Sequence, residues 1–457
     1  MKLLEPIQMG GVQLKNRVVM PAMFVNLGLR SRRARAFYVE RARGGVAAII
    51  MVGTSVDLFF SDAAWGKPGG VAGFIDGLKQ LTSDVQQAGS KIGIQLFHTS
   101  RFPSGTGLED TRGDAVAPSA MDDIRYKGGK SGLPPYVPCR ELTTTEVETI
   151  IGRFGAAARG VKEAGFDFLE MNAAHGHFAS QFFSPLDNRR TDRFGGDIRD
   201  RMTFGLECVK TMRAATSPGF PIIYRIGGQD EVPGGVTLSD NVAFAVELQK
   251  AGVDAFNISV GSPDDPRRYF AGFLTPTSDR PEALLADWAA AFKQKVTAPV
   301  IVVGRIHAPE VAEQIISQGK TDLVAVGRQL LSDPHWTAKI ASGKHDEIVR
   351  CLSCNTCMAS VAAGDIRCSV NPILGKETEY IVAPTAKPKR VLVIGGGAAG
   401  MEAATVAALR GHDVTLWEKE NSLGGQLKAA SVPPHKKEIG MLNPTLQVLA
   451  QRAGDKS

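Results

Sequence analysis

Between residue 15 and about residue 330, short runs of β-branched and other apolar residues alternate with stretches whose apolar positions recur every three or four residues. That alternation predicts an α/β architecture with a parallel sheet. Eight runs can be counted: Arg17 to Met20, Ala47 to Val52, Lys91 to Leu96, Asp167 to Asn172, Pro221 to Ile226, Val253 to Val260, Pro299 to Gly304 and Thr321 to Val326. Three of them follow a shared design, a helix closed by glycine and then a buried strand: E-A-G-F-D-F-L-E, K-A-G-V-D-A-F-N and S-Q-G-K-T-D-L-V. Glycine there tolerates the left-handed cap that would strain other residues. Ahead of the fourth run, Thr145 and Glu148 have capping-box spacing, and Val147, Ile150, Ile151, Phe154, Ala157, Ala158 and Val161 form one apolar stripe. Pro309 suits the first turn of the helix after the seventh run. Eight βα units in succession predict a closed (β/α)8 TIM barrel with its chemistry at the carboxyl ends of the strands. An open doubly wound sheet is the alternative, since spacing alone does not show closure. Two connections on the catalytic side, Thr99 to Arg140 and Gly261 to Pro281, are too long for simple turns and read as covers facing a substrate.

A ninth run, Lys387 to Ile394, is of another kind. It leads into Gly395-Gly396-Gly397-Ala398-Ala399-Gly400, then a helix, then a second strand, Asp413 to Trp417, that ends in Glu418. In that context Gly395, Gly397 and Gly400 fit a pyrophosphate at a helix start, with Glu418 on the ribose of an ADP moiety; a glycine-rich turn without ligand is the plainer alternative. The 68 residues from Arg390 to Ser457 are fewer than a full nucleotide-binding half needs, and 429–457 holds no convincing strand. We therefore expect an incomplete, Rossmann-like last domain. The division expected is a barrel over 1–340, a cysteine-bearing segment over 341–385 and a partial nucleotide-binding domain over 386–457.

Four of the six cysteines fall within eighteen residues: Cys351, Cys354 and Cys357 in C-L-S-C-N-T-C, then Cys368. The C-x2-C-x2-C opening with a more distant closing cysteine is the ligand pattern of a cubane iron-sulfur centre, a [4Fe-4S] cluster. A four-cysteine zinc site is the alternative, although zinc usually takes two separated C-x2-C knuckles. A disulfide framework suits neither the chain's length nor its lack of a signal-peptide core. Cys139 and Cys208 lie elsewhere and read as plain thiols.

The chain has 457 residues, of which 43% are hydrophobic, and a net charge of +6. Its basic residues are interspersed with acids, so nothing points to nucleic acid, and the longest apolar run, Val46 to Val52, is too short to cross a bilayer. We expect a cytoplasmic protein that binds phosphorylated cofactors; a homo-oligomer is left open.

At the carboxyl ends of the runs stand Gln95 and His98 after the third, Asn172, His175 and His177 at the fourth, and Arg225 at the fifth. The seventh and eighth each close with Val-Gly-Arg, giving Gly304-Arg305 and Gly327-Arg328. Paired glycines and arginines there match the phosphate site that barrels form after their last two strands. A solvated arginine at a strand end would explain either one alone.

These residues resemble the old yellow enzyme superfamily, in the multidomain branch that includes 2,4-dienoyl-CoA reductase, enoate reductase and trimethylamine dehydrogenase. The resemblance runs to about residue 440 and rests on N-R-V-V-M-P-A-M (16 to 23), I-Q-L-F-H-T-S-R (94 to 101), A-A-H-G-H-F-A-S-Q-F-F-S-P (173 to 185), N-R-R-T-D-R-F-G-G (188 to 196), V-G-R-Q-L-L-S-D-P (326 to 334) and the cysteines. It implies FMN across the barrel mouth, a [4Fe-4S] cluster beside it, FAD on the last domain (weakly bound or absent if that domain is incomplete) and NAD(P)H as electron donor. By this analogy Pro21, Met23 and Gly53 line the flavin, Gln95 bonds its pyrimidine edge and Arg225 lies near its N1-C2 carbonyl. Gly304, Gly327 and Arg328 hold the phosphate, and Gln426 joins the glycines at the FAD site. Asn172 and His175 are then the pair that grips a substrate carbonyl oxygen, and His177 stands where relatives commonly have a tyrosine proton donor.

Departures separate the branches. Phe24 stands where trimethylamine dehydrogenase has its flavin-linking cysteine, and Gly53 and Pro263 replace aromatics of its amine-binding bowl. Ser262-Pro263-Asp264-Asp265 stands where dienoyl-CoA reductase has a second histidine, which puts an ordinary fatty dienoyl-CoA in doubt. The expectation is an NAD(P)H-dependent iron-sulfur flavoprotein that delivers hydride from FMN to the β-carbon of an α,β-unsaturated carbonyl or thioester, a small-molecule enone or enoyl substrate. An amine dehydrogenase or N-demethylase, and an electron-transfer subunit without its own small substrate, are the alternatives.

Overall fold

A computed structural model describes residues 1–56, 70–98, 116–120, 139–261 and 274–454. Most of both long covers, and Pro263 with its neighbours, lie outside the described residues.

After a short hairpin, β1 (Ile7–Met9) and β2 (Val12–Leu14), eight parallel strands close into a barrel: β3 (Val18–Met20), β4 (Ala48–Ser55), β5 (Lys91–Phe97), β8 (Phe168–Ala173), β9 (Ile222–Gly227), β10 (Ala255–Ser259), β11 (Val300–Val302) and β12 (Leu323–Ala325). β6 (Val116–Ala117) and β7 (Arg140–Glu141) pair outside it. Closure removes the open-sheet alternative, because β12 pairs with β3. All eight predicted runs are barrel strands. Gly165, Gly252 and Gly319, the three predicted caps, have φ of 81°, 115° and 72°. Pro309 is the first residue of the helix Pro309–Ser317.

One helix start is corrected. The capping box before β8 is Thr143 with Glu146, two residues earlier than Thr145 with Glu148, and the helix runs Thr144–Glu163. Both pairs have the same spacing, but the earlier start lets the Thr144 hydroxyl donate to Asp192 at 2.6 Å and Arg140 pair with Glu146 at 2.7 Å. The predicted apolar stripe is buried in full.

The motif at 188–196 is a structural staple. Arg190 donates to the carbonyls of Pro118 and Leu142 and forms a two-nitrogen pair with Asp192, whose oxygens also accept from Thr144 and the Phe194 amide. That pairing holds the Asp192 carboxyl down at about 2. A depressed carboxyl contributes stability above its unfolded value, about 3.9, and loses it as pH falls through the folded value. Asp192→Asn should therefore lower the melting temperature by several degrees at pH 7, from a loss of about 2 kcal/mol. The gap to the parent should close as the medium is taken from pH 4 toward pH 2, measured by paired thermal melts.

The barrel interior is layered by the two-residue repeat of strands. Val19, Ala48, Ile50, Phe168, Ile223, Ala255, Ile301 and Leu323 share one apolar cluster with Met9 and Leu14 of the hairpin, which plugs the amino-terminal end. Two residues further along β5, β8, β9 and β10, on the same inward face, stand Gln95, Glu170, Arg225 and Asn257, so the core turns from apolar to polar just below the mouth.

The last unit pairs β13 (Arg390–Ile394) with β14 (Asp413–Trp417) in parallel. The helix Glu438–Gly454 crosses it, and Met401, Leu442 and Leu446 pack with Val349 and Val370 of the cysteine-bearing segment. Among the described residues no helix is long and apolar enough to cross a membrane.

Candidate active site and cofactor sites

The polar layer is one connected network. Glu170, fully buried, accepts from Gln95 Nε2 and from Asn257 Nδ2, each at 2.6 Å. Gln95 Oε1 in turn accepts from Asn172 Nδ2 at 3.1 Å. Asn172 is the register partner of Arg225 on the next strand, and Arg225 Nη2 reaches Ser259 Oγ at 3.4 Å. The same oxygen lies 2.6 Å from His175 Nε2. A hydroxyl oxygen can accept from both, so either tautomer of His175 satisfies this contact. Burial, then the charge of Arg225 and of His177, holds His175 well below its ordinary value, so it is a neutral donor at pH 7. Its φ of 65° is a left-handed conformation that turns the loop at the strand end. The His177 ring lies 6.0 Å from that of His175 and 5.5 Å from that of Phe97.

Gly53 lets Gln95 and Phe97 pack close, since a Cβ there would lie 2.9 Å from Gln95 Oε1 and 3.0 Å from Phe97 Cε1. Across the mouth, a Cβ on Gly327 would come 3.1 Å from Met23 Sδ and 3.4 Å from Pro21 Cγ. Of the residues predicted at the flavin, Gly53 thus meets Gln95, while Pro21 and Met23 meet Gly327, which was predicted at the phosphate. Gly304, with φ 122°, follows β11 and packs under Leu284 and Leu285.

The two arginines of the paired motif are not alike. Arg328 donates to Asn355 Oδ1 at 2.6 Å and to the Pro276 carbonyl at 2.7 Å, and three of its five N-H groups stay outside those two contacts. Arg305 turns away, to Ser353 Oγ and to Glu438 of the last helix. Sequence spacing gave no signal for that partner, which is 133 residues away.

Cys351, Cys354, Cys357 and Cys368 all line one small pocket, partly open to solvent, together with Arg328, Leu331, Asn355, Ser369 and Val370. None is in a disulfide. The loop is tied to the barrel independently of its sulfurs, through Gln329 Oε1 accepting from the Cys351 amide at 2.9 Å and through the Arg328 to Asn355 contact. Ser353 and Asn355 take positive φ, 50° and 57°, which winds the chain tightly between the cysteines. A second acid-histidine group, Glu282, His307 and Glu438, went unforeseen; its carboxylates are paired with Arg350 and Arg305, so it joins the barrel to the last helix.

In the last unit the three glycines divide the work as a dinucleotide turn requires. Gly395, at φ 101°, makes the sharp turn, Gly397 faces open space, and a Cβ on Gly400 would lie 1.8 Å from the Gly395 carbonyl. Glu418 accepts from the Gly396 amide at 2.6 Å. Gly425 approaches Gly397, which brings Gln426 beside the turn. Gly400→Ala should force the helix off its strand and cost about 1–3 kcal/mol, seen as faster amide exchange over 390–417 with the barrel unchanged.

Residues 2–347 match the NADH:flavin oxidoreductase / NADH oxidase family. The chain belongs to that family. Residues 390–452 match the FAD dependent oxidoreductase family, so this NADH:flavin oxidoreductase carries an FMN-type barrel and an FAD-type unit in one chain. A metal reductase of Desulforamulus reducens is 38% identical over 96% of this chain and 63% of its own length. A cinnamate reductase of Clostridium sporogenes is 35% identical over 95% of this chain and 67% of its own. A solved 2-naphthoyl-CoA reductase complex superposes with a TM-score of 0.88 at 29% identity, covering 99% of this chain and 70% of that one. The chain therefore spans about two thirds of the length of these relatives.

Proposed function

We propose that this NADH:flavin oxidoreductase is an iron-sulfur ene-reductase, in which electrons from NAD(P)H pass through FAD and a [4Fe-4S] cluster to FMN and on to an α,β-unsaturated carbonyl or thioester. The observation that carries the reading is that Asn172 and His175, at the end of β8, are tied through Gln95, Arg225 and Ser259 into one buried polar network. The residues present fit FMN: Arg225 Nε, at the strand end expected to face the flavin, is buried without a partner among the described residues. FMN bound there supplies the hydride. Asn172 and His175 hold the substrate's carbonyl oxygen and stabilise the charge that builds on it. His177 holds the proton for the neighbouring carbon, a role open to imidazole near neutral pH. Pro21, Met23 and Gly53 line the ring system, and Arg328, with Gly304 and Gly327, holds the phosphate.

The cysteine cavity fits a cluster better than a single ion. Three cysteines in one short loop with a fourth eleven residues on suit a cluster, whereas a four-cysteine zinc usually takes two separated C-x2-C knuckles. We assign 1–340 to the FMN barrel, 341–385 to the cluster segment and 386–457 to the FAD unit, with Gly395, Gly397, Gly400, Glu418 and Gln426 at its nucleotide. The absence of an aromatic at Gly53 argues against a caged amine.

The experiment is anaerobic. The chain is reduced with dithionite and mixed with 2-cyclohexenone and, separately, cinnamate. Reoxidation of the FMN with formation of the saturated product is the outcome expected. No reoxidation by any enone, together with flavin bleaching of the oxidised chain by dimethylamine, would replace this reading with the amine dehydrogenase.

A further inference from the structure

Glu170 is a carboxylate with no exposed surface in the middle of the barrel, and a buried charge persists only where its neighbours compensate it. We propose that Glu170 is a positioning residue: it orients the Gln95 amide so that the mouth presents an oxygen to the flavin's pyrimidine edge, and its charge offsets that of Arg225. The inference rests on FMN lying at that mouth.

The chemistry of the contacts decides the orientation. An ionised carboxylate only accepts, so both amides that meet Glu170 must turn their nitrogens to it. Gln95 does so through Nε2 and Asn257 through Nδ2, each at 2.6 Å. The oxygen of Gln95 is thereby fixed on the other side, toward Asn172 Nδ2 and against Gly53. An acceptor there suits the N3-H of a flavin and not its carbonyls. Asn257 Oδ1, turned away in the same manner, is buried with no partner among the described residues.

Electrostatics points the same way. Burial raises the Glu170 carboxyl on balance, against the pull of Arg225 first and then of the Asn257 and Gln95 amides. With a guanidinium and two amide donors around it, the ionised form is the one the geometry fits. Arg225 is thus partly neutralised from below, and the mouth is less positive than the arginine alone would make it. Reduced flavin carries a negative charge near neutral pH, so Glu170 holds back the stabilisation that Arg225 would otherwise give to the reduced form.

The test is the midpoint potential of bound FMN, read by anaerobic spectroscopic titration in the whole chain. Glu170→Gln removes the charge and frees both amides to turn. The ratio of reduced to oxidised FMN affinity should rise about tenfold, which for a two-electron couple raises the potential by about 30 mV. The double variant Gln95→Glu with Glu170→Gln keeps a donor-acceptor pair but moves the charge to the mouth, and its potential should fall below the parent's. Midpoints equal to the parent's in both variants, with FMN bound in all three proteins, would overturn the inference. So would the failure of both variants to accumulate as folded holoprotein, which would make the role purely structural. A parent chain that binds no FMN would instead sink the functional reading on which this one stands.

Discussion

Replacing Cys351 with alanine should abolish the iron signal of the chain and slow electron delivery to the barrel by about a hundredfold or more, since a cluster that loses a thiolate loses its binding free energy and its potential together. The protein should still fold. Gln329 holds the backbone of residue 351 through the amide, which alanine keeps, and Arg328 holds the loop through Asn355. FMN should stay bound, because the residues that would line it belong to the barrel strands and the turns directly after them, and not to the cysteine loop. Half-reactions separate the two effects. Rapid mixing with a one-electron donor should show slow FMN reduction in Cys351→Ala, while FMN already reduced by dithionite should pass hydride to an enone at the parent's rate. Equal loss in both half-reactions would mean that the loop shapes the barrel mouth and does not conduct.

The second large effect is expected at the oxyanion pair. Asn172→Leu and His175→Leu should each lower the rate of enone reduction by about 10²- to 10³-fold, the usual loss of one donor to a developing charge. The double variant should lose less than the product of the two, because Asn172 and His175 act on one oxygen. Flavin content should be unchanged in His175→Leu, whose partner Ser259 stays bound to Arg225. Because His175 is held neutral, its protonation should not shape the rate between about pH 6 and pH 8. For stability the sign is the same as for any buried neutral histidine: the unfolded chain binds the proton more readily. The cost of folding with a neutral ring thus grows as pH falls below the ordinary histidine value, about 6.5. A bell-shaped rate profile that loses one limb in His175→Leu would contradict the neutral-donor role.

Much of this was legible in the chain, for identifiable reasons. The barrel strands announce themselves because they are buried on both faces and therefore run as mostly apolar residues, many of them β-branched. Their helices end at glycines that only a left-handed turn requires, as at Gly165 and Gly252. The cysteines are local in sequence, so their meeting in one cavity follows from a short loop. Glu170 was overlooked although a signal existed: it precedes Asn172 by two residues, which on a strand puts both on the inward face. What hid it was the apolar run around it, F-L-E-M, in which a single acid looks incidental. The shift of the capping box to Thr143 could not be read locally, because the choice depends on Asp192, far along the chain. The partners of Arg305 and Arg328 were hidden for the same reason. Side chains at the end of a strand can turn to any element that packs there, and Glu438 and Asn355 arrive from other parts of the fold.

Anaerobic purification followed by iron, sulfide and extracted-flavin determination on the same sample puts the cluster and the flavin to the test together. About four irons, about four sulfides and one FMN per chain are predicted. One zinc per chain, with no FMN released on acid extraction, would contradict both the cage and the mouth.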